Sequence, residues 1–162
     1  MLSKLGLSNS WCGLIASKYL DNYELIVGAA VLIIRSSDDD RAVINTVIET
    51  VDKSGMKILK SAYLDETERS LVASKLRGGN WGGGRFSRDQ GGRPIYYLVI
   101  RDYVAVKPVA DVARSHPLAD NENIIILKNM IRETVGLNIL HSTDNASEAG
   151  YFINLLSLDI VY

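Results

Sequence analysis

The sequence predicts an α/β sandwich, a mostly antiparallel sheet covered on one face by helices, and three observations carry that expectation. Strand-like and helix-like segments alternate along the chain, the strand-like runs are short and rich in β-branched residues, and 162 residues with 47% hydrophobic side chains supply one sizeable core. A single domain over 1–162 follows, with an N-terminal helical extension of about residues 1–24 and a Gly/Arg-rich loop at 77–93.

The elements follow in order. Ser10 to Tyr23 carries Trp11, Leu14, Ile15 and Tyr19 at helical spacing, which predicts a docking helix. Leu25 to Ile34 (LIVGAAVLII) is the most hydrophobic stretch; ten residues cannot cross a bilayer as a helix, which takes about 20, so it predicts a buried strand. Ser36 to Asp40 offers cap-type oxygens ahead of Ala42, Val43, Val47, Ile48 and Val51, an amphipathic helix ending near Ser54-Gly55. Asp38-Asp39-Asp40 lacks further oxygen ligands at EF-hand spacing and is better explained as cap and solvated loop than as a cation site. Met56 to Tyr63 predicts a second strand, and Asp65 to Leu76 a helix with Leu71, Val72 and Leu76 inward. Beyond the loop, Pro94 to Ile100 predicts a third strand, and Val104 to Arg114 a helix open to interruption at Pro108. His116 to Asp120 is turn chemistry. Ile124 to Leu127 is too short to assign, and Lys128 to Thr134 either continues it or forms one helical turn. The run Val135 to Leu140 leads into His141, and Ala146 to about Leu156 predicts a closing helix. Tyr96, Tyr97 and Tyr103 are expected to alternate between core and surface.

Charge and cysteine content exclude several functions. A formal net charge of -1 and a pI near 6.1 give no global basic field for nucleic acid or an anionic membrane, so an anion site must be local. Cys12 alone forms no internal disulfide, and with two histidines a Cys/His zinc cage is not expected. Polar residues interrupt Met1 to Gly28 too often for a signal peptide, and a reducing cytoplasm fits this composition. Cys12 has no nearby His or Arg to activate it and is expected to be a small buried side chain.

His141 is the first candidate for chemistry. It follows an apolar run and precedes Ser142, Thr143 and Asp144, residue types that cap a helix start. Neutral imidazole is a competent nucleophile, and amides at a helix N-terminus can stabilise a transferring phosphoryl group. The same tetrapeptide also suits a partly buried histidine held by Asp144, and periodicity does not choose between the two.

The wider pattern is more specific. Leu118-Ala119-Asp120, then Gly136-Leu137-Asn138-Ile139-Leu140-His141-Ser142-Thr143-Asp144, then Ser147-Glu148-Ala149 resemble in order and nearly in spacing the motifs of the nucleoside diphosphate kinase family. The resemblance covers about residues 116 to 153; upstream, AAVLIIRSS resembles the family's first strand, with Arg35 near the place of its lysine. It implies a ferredoxin-like βαββαβ core of α+β type, with helices packed on an antiparallel sheet. The activity it implies is transfer of a γ-phosphoryl group from a nucleoside triphosphate, with nucleotide-bound Mg²⁺, to a nucleoside diphosphate through a phosphohistidine at His141. A homo-oligomer, without membrane association, is implied as well. By the same resemblance Asn138 contacts the nucleotide, Lys128 stands where the family has a phosphate-binding arginine, and Arg132 is a second cation one turn away. Lys107 aligns with a family lysine, whereas Ala110 falls where a second phosphate-binding arginine is expected and His116 where a threonine is. Ser142 and Thr143 stand for glycine and serine, and Phe152 replaces the glutamate that orients the imidazole, with Glu148 one turn earlier. The alternative consistent with those departures is a catalytically weakened or inactive nucleotide-binding or protein-interaction domain of the same fold.

From Gly78 to Gly92, seven of fifteen residues are glycine, and Arg77, Arg85, Arg88 and Arg93 accompany them. This loop falls where the family has its nucleotide lid, and Trp81 is the nearest aromatic for stacking on a base. A partner-binding loop with solvated arginines, or an RNA-binding loop with sparse stacking groups, are the other readings of the same residues.

Overall fold

The computed structural model describes residues 27–36, 41–75, 92–135 and 139–158. Nine elements lie within them: β1 (Ala29–Ser36), α1 (Arg41–Lys53), β2 (Lys57–Tyr63), α2 (Glu66–Lys75), β3 (Arg93–Arg101), α3 (Ala110–Ser115), α4 (Glu122–Val135), β4 (Leu140–Ser142) and α5 (Ala146–Leu155). The sheet runs β2-β3-β1-β4 with every pairing antiparallel. β1 and β2 therefore flank β3, while β3 and β4 flank β1, the interleaved βαββαβ arrangement of an α+β, ferredoxin-like sandwich.

The helices cover both faces of the sheet, not one. Ala30, Leu32 and Ile34 of β1 join Ile44, Val47 and Val51 of α1 and Ile124, Leu127 and Ile131 of α4 in one core. Ala29, Val31 and Ile33 join Val72 of α2 and Ala149, Phe152 and Ile153 of α5 in the other. Side chains alternate across a strand, so a strand buried on both sides must be apolar at every position, which is why β1 reads as a continuous hydrophobic run.

Local chemistry sets the element ends. The strand expected from Leu25 begins at Ala29, because Val27 and Gly28 form a turn. Gly28 has φ +76°, its carbonyl accepts Asp102 N at 2.8 Å, and a Cβ there would fall 2.0 Å from the Asp102 carbonyl oxygen. Only glycine fits that approach. α1 ends as expected near Ser54 and Gly55, which has φ +80°. α2 starts on a reciprocal box in which Glu68 N donates to Asp65 Oδ1 and Asp65 N donates to Glu68 Oε2, both at 2.8 Å. Val72 and Ala73 form its buried stripe, while Leu71 is half-buried. In β3 the pairing passes from Ile34–Tyr96 to Arg35–Pro94, leaving Ile95 as the extra residue of a bulge. Tyr97 is buried, Tyr96 half-buried and Tyr103 exposed under the Arg101 guanidinium at 4.7 Å.

The helix expected over Val104 to Arg114 is shortened to Ala110–Ser115. Pro108 disfavours helix in the residue before it, and the 103–109 backbone bonds elsewhere. Val104 N donates to Asp102 Oδ1 at 2.9 Å, Val106 N to Asn121 Oδ1 at 3.3 Å, and Val109 N to Glu122 Oε2 at 2.9 Å. The two pieces left open at 124–134 form the single helix α4 of 14 residues, with Asn121 Oδ1 accepting Asn123 N at its start. Among the described residues no helix is long and apolar enough to cross a membrane. The helix expected at 10–23, Cys12, Asp38 to Asp40, Asn138, and all of the glycine loop but Gly92 and Arg93 lie outside the described residues.

Candidate phosphate site at the end of β4

β4 is an edge strand, and its middle residue His141 pairs with Ile33. Alternation sends Leu140 into the α1/α4 core and His141 to the opposite face, against α5. There the imidazole meets Phe152, with ring centroids 6.5 Å apart and planes inclined at 53°. Phe152 is fully buried and braced edge-on by Tyr151 at 5.5 Å. His141 as a residue is half-buried, and its Nε2 is sealed from solvent. Residue 152, the position matched to a family carboxylate, thus lies beside the imidazole but carries a hydrocarbon ring.

The two motif blocks meet in space. Asp120 Oδ2 accepts Ala146 N at 2.8 Å, Asp120 N donates to Asp144 O at 3.2 Å, and Asn145 Nδ2 donates to Leu118 O at 3.1 Å. The Leu118-Ala119-Asp120 turn is thereby bound to the start of α5. Asn145 caps that helix by accepting Glu148 N at 2.9 Å, and Glu148 Oε2 accepts Asp144 N at 2.7 Å. Three of the amides that a phosphate would use here are taken by the chain's own Asp120, Asn145 and Glu148. At the start of α5 these donors are engaged within the chain.

Thr143 continues the β1 pairing past β4: its N donates to Val31 O and its Oγ1 accepts Val31 N, both at 3.0 Å. Ser142 and Thr143 are both buried.

Arg35, Lys128 and Arg132, the expected phosphate contacts, lie within the described residues. Arg35 is the penultimate residue of β1, two along from Ile33 and so on the face of the sheet that His141 shares. It is buried, its Nε donates to Gly92 O at 3.0 Å, and burial lowers its pKa. Arg132 reaches from α4 to β4, donating from Nη2 to Leu140 O at 3.1 Å, and burial lowers its pKa too. Lys128 shares that corner. Burial first, and the Arg132 charge second, push its pKa down, while Asp144 and Glu148 pull the other way. Lys128, Arg132, Asp144 and Glu148 therefore form one electrostatic neighbourhood where β4 turns into α5. Lys107 is exposed in the non-helical stretch, Ala110 opens α3, and the His116 amide ends that helix on Val112 O at 2.8 Å. Asn138 and Trp81 lie outside the described residues.

Because the folded protein disfavours the charged form of Lys128, removing the charge removes a cost that is present at neutral pH. Lys128→Met is expected to raise the urea midpoint while weakening phosphate binding; a lowered midpoint would contradict this reading of Lys128.

The sequence reading missed a buried, hydrogen-bonded carboxylate. Asp102 is buried, and its carboxylate accepts Val104 N at 2.9 Å, Asn121 Nδ2 at 3.0 Å and Asn123 Nδ2 at 2.8 Å. Burial alone would raise its pKa, but those bonds outweigh burial and leave it below the ordinary 3.8. The signal that could have found half of this network is Asn121-Glu122-Asn123, cap-type residues ahead of an apolar run. Nothing in the sequence singles out Asp102.

No model of a known protein family matches the chain, and no curated protein matches it.

Proposed function

We propose that the chain is a nucleoside-diphosphate-kinase-like phosphotransferase working through His141. The observation that carries the reading is the meeting of the 118–120 and 144–148 blocks, far apart in sequence, beside the edge strand that bears His141. A ferredoxin-like βαββαβ core is what the resemblance implies, and the described residues have that arrangement.

In this reading the Nδ1 lone pair attacks the γ-phosphorus of a nucleoside triphosphate, the bond to the β,γ-bridging oxygen breaks, and the diphosphate leaves with that electron pair. In this proposal the ring proton stays on Nε2, which is sealed from solvent. A second diphosphate attacks the phosphohistidine, the P–N bond breaks, and the imidazole returns to its first state. Arg35, Lys128 and Arg132, with Asn138 and Trp81, are the nucleotide and phosphate contacts. In this reading Mg²⁺ arrives on the nucleotide phosphates. Cytoplasmic location and a homo-oligomer belong to the same proposal.

The test uses γ-labelled ATP and Mg²⁺. Wild type is expected to take up an acid-labile label that a nucleoside diphosphate removes, and His141→Ala to take up none; an unlabelled wild type, or equal labelling of the variant, would contradict the proposal. Phe152 against the imidazole favours a second reading, a nucleotide-binding domain without transfer. Nucleotide binding with no labelling of wild type selects it.

A further inference from the structure

Four charged side chains share the corner where α4 passes the turn from β4 into α5. Lys128 and Arg132 stand four residues apart on α4, one turn along the same face. Arg132 is fixed there, its Nη2 donating to Leu140 O at 3.1 Å. Asp144 and Glu148 act on the same amine from the start of α5, and Glu148 is fixed in turn by accepting Asp144 N at 2.7 Å through Oε2. Two cations against two carboxylates leave the corner without net charge, so loss of one ammonium makes it anionic.

Lys128 is half-buried, whereas Lys53 keeps 76% of its side chain exposed and Lys107 is exposed. Burial first, and the Arg132 charge second, weaken the hold of Lys128 on its proton, against the pull of Asp144 and Glu148. A lysine whose ammonium form is disfavoured carries more free amine at neutral pH, and the free amine is the nucleophile. A guanidinium one turn along is an anchor for phosphate oxygens. An electrophilic carbon carried on a phosphate therefore meets an anchor and a nucleophile side by side.

We propose that Lys128 is an acylation site for acyl phosphates, with Arg132 seating the phosphate and the Lys128 amine taking the acyl group. The amine nitrogen attacks the carbonyl carbon, the bond from that carbon to the bridging oxygen breaks, and inorganic phosphate leaves with the electron pair and with the proton that the nitrogen sheds. The product amide is neutral, so acylation leaves Arg132 alone against Asp144 and Glu148 and turns phosphate away from the corner. Acylation here rests on the reading of the corner as phosphate-binding, and not on transfer by His141.

The test incubates the full-length protein with acetyl phosphate at neutral pH, without nucleotide, and reads initial acetylation rates at Lys128, Lys53 and Lys107 by peptide mass spectrometry. Lys128 is expected to react about fivefold faster, or more, than either exposed lysine. Added inorganic phosphate is expected to slow that reaction at Lys128 alone, and to leave its acetylation by p-nitrophenyl acetate, which carries no phosphate, unchanged. Arg132→Gln is expected to remove the effect of phosphate. Equal rates at the three lysines, or a phosphate effect that is absent or uniform, would overturn the proposal. Where His141 is still phosphorylated by ATP in those cases, the phosphotransfer reading stands and acylation alone falls; selective, phosphate-sensitive acetylation of a chain whose His141 takes no label shows the reverse.

Discussion

Phe152→Ala is expected to lower the stability of the fold by about 3–5 kcal/mol, the range for truncating a large buried aromatic side chain. The ring is 1% exposed and lies between Tyr151, the His141 imidazole and the α2/α5 face of the sheet. β4 is only three residues long, so few backbone bonds hold the histidine strand and packing against α5 must supply the rest. Urea unfolding measures the loss as a lower midpoint at unchanged slope; a loss under about 1 kcal/mol would mean that α5 does not seal that face. Phe152→Glu separates packing from chemistry. It destabilises the fold by placing a carboxylate in a buried site, yet it offers the imidazole an acceptor that fixes which nitrogen carries the proton. In the phosphohistidine reading it is expected to be labelled faster than wild type.

The second large effect is at Asp102. Asp102→Ala removes the acceptor for Val104 N and for the amides of Asn121 and Asn123, and unsatisfied buried donors cost about 1–3 kcal/mol each. Water entering the open cavity that Asp102 lines can satisfy part of this set, which brings the expected loss to about 3 kcal/mol. The effect has a pH signature. The folded pKa lies below the unfolded value of 3.8, so this stabilisation is fully present well above 3.8 and is lost as pH falls through the folded pKa. The stability gap between wild type and Asp102→Ala should therefore narrow on acidification below 3.8. A gap that stays constant or widens would show that the carboxylate's charge plays no part.

Where the period of apolar residues decides structure, the elements were legible in sequence. The spacing of Ala42, Val43, Val47, Ile48 and Val51 marks α1, in which Val47 and Val51 are buried together with Ile44 while Ala42 is exposed; the closing helix from Ala146 is α5, and β3 is a β-prone run. The coverage of both sheet faces was also written in the unbroken hydrophobicity of β1, although it was assigned to one face. The start of α3 is not legible because the neighbouring Asp102 side chain and the more distant Asn121 and Glu122 side chains hold residues 103–109 out of helix. At the candidate site, the family resemblance put Phe152 at the place next to His141, but did not show that Asp120 and Asn145 engage amides of the first turn of α5 and Glu148 that of Asp144 just before it. Those bonds cross between blocks, and one-dimensional spacing does not encode which donor meets which acceptor.

The most direct measurement is tandem mass spectrometry, at neutral to alkaline pH, of the peptide containing residues 139–143 after incubation with ATP and Mg²⁺. A phosphoryl group on His141, lost on acidification, is the expected result. A phosphoryl group on Ser142 or Thr143, or an unmodified peptide from a chain that binds the nucleotide, would contradict transfer through the imidazole.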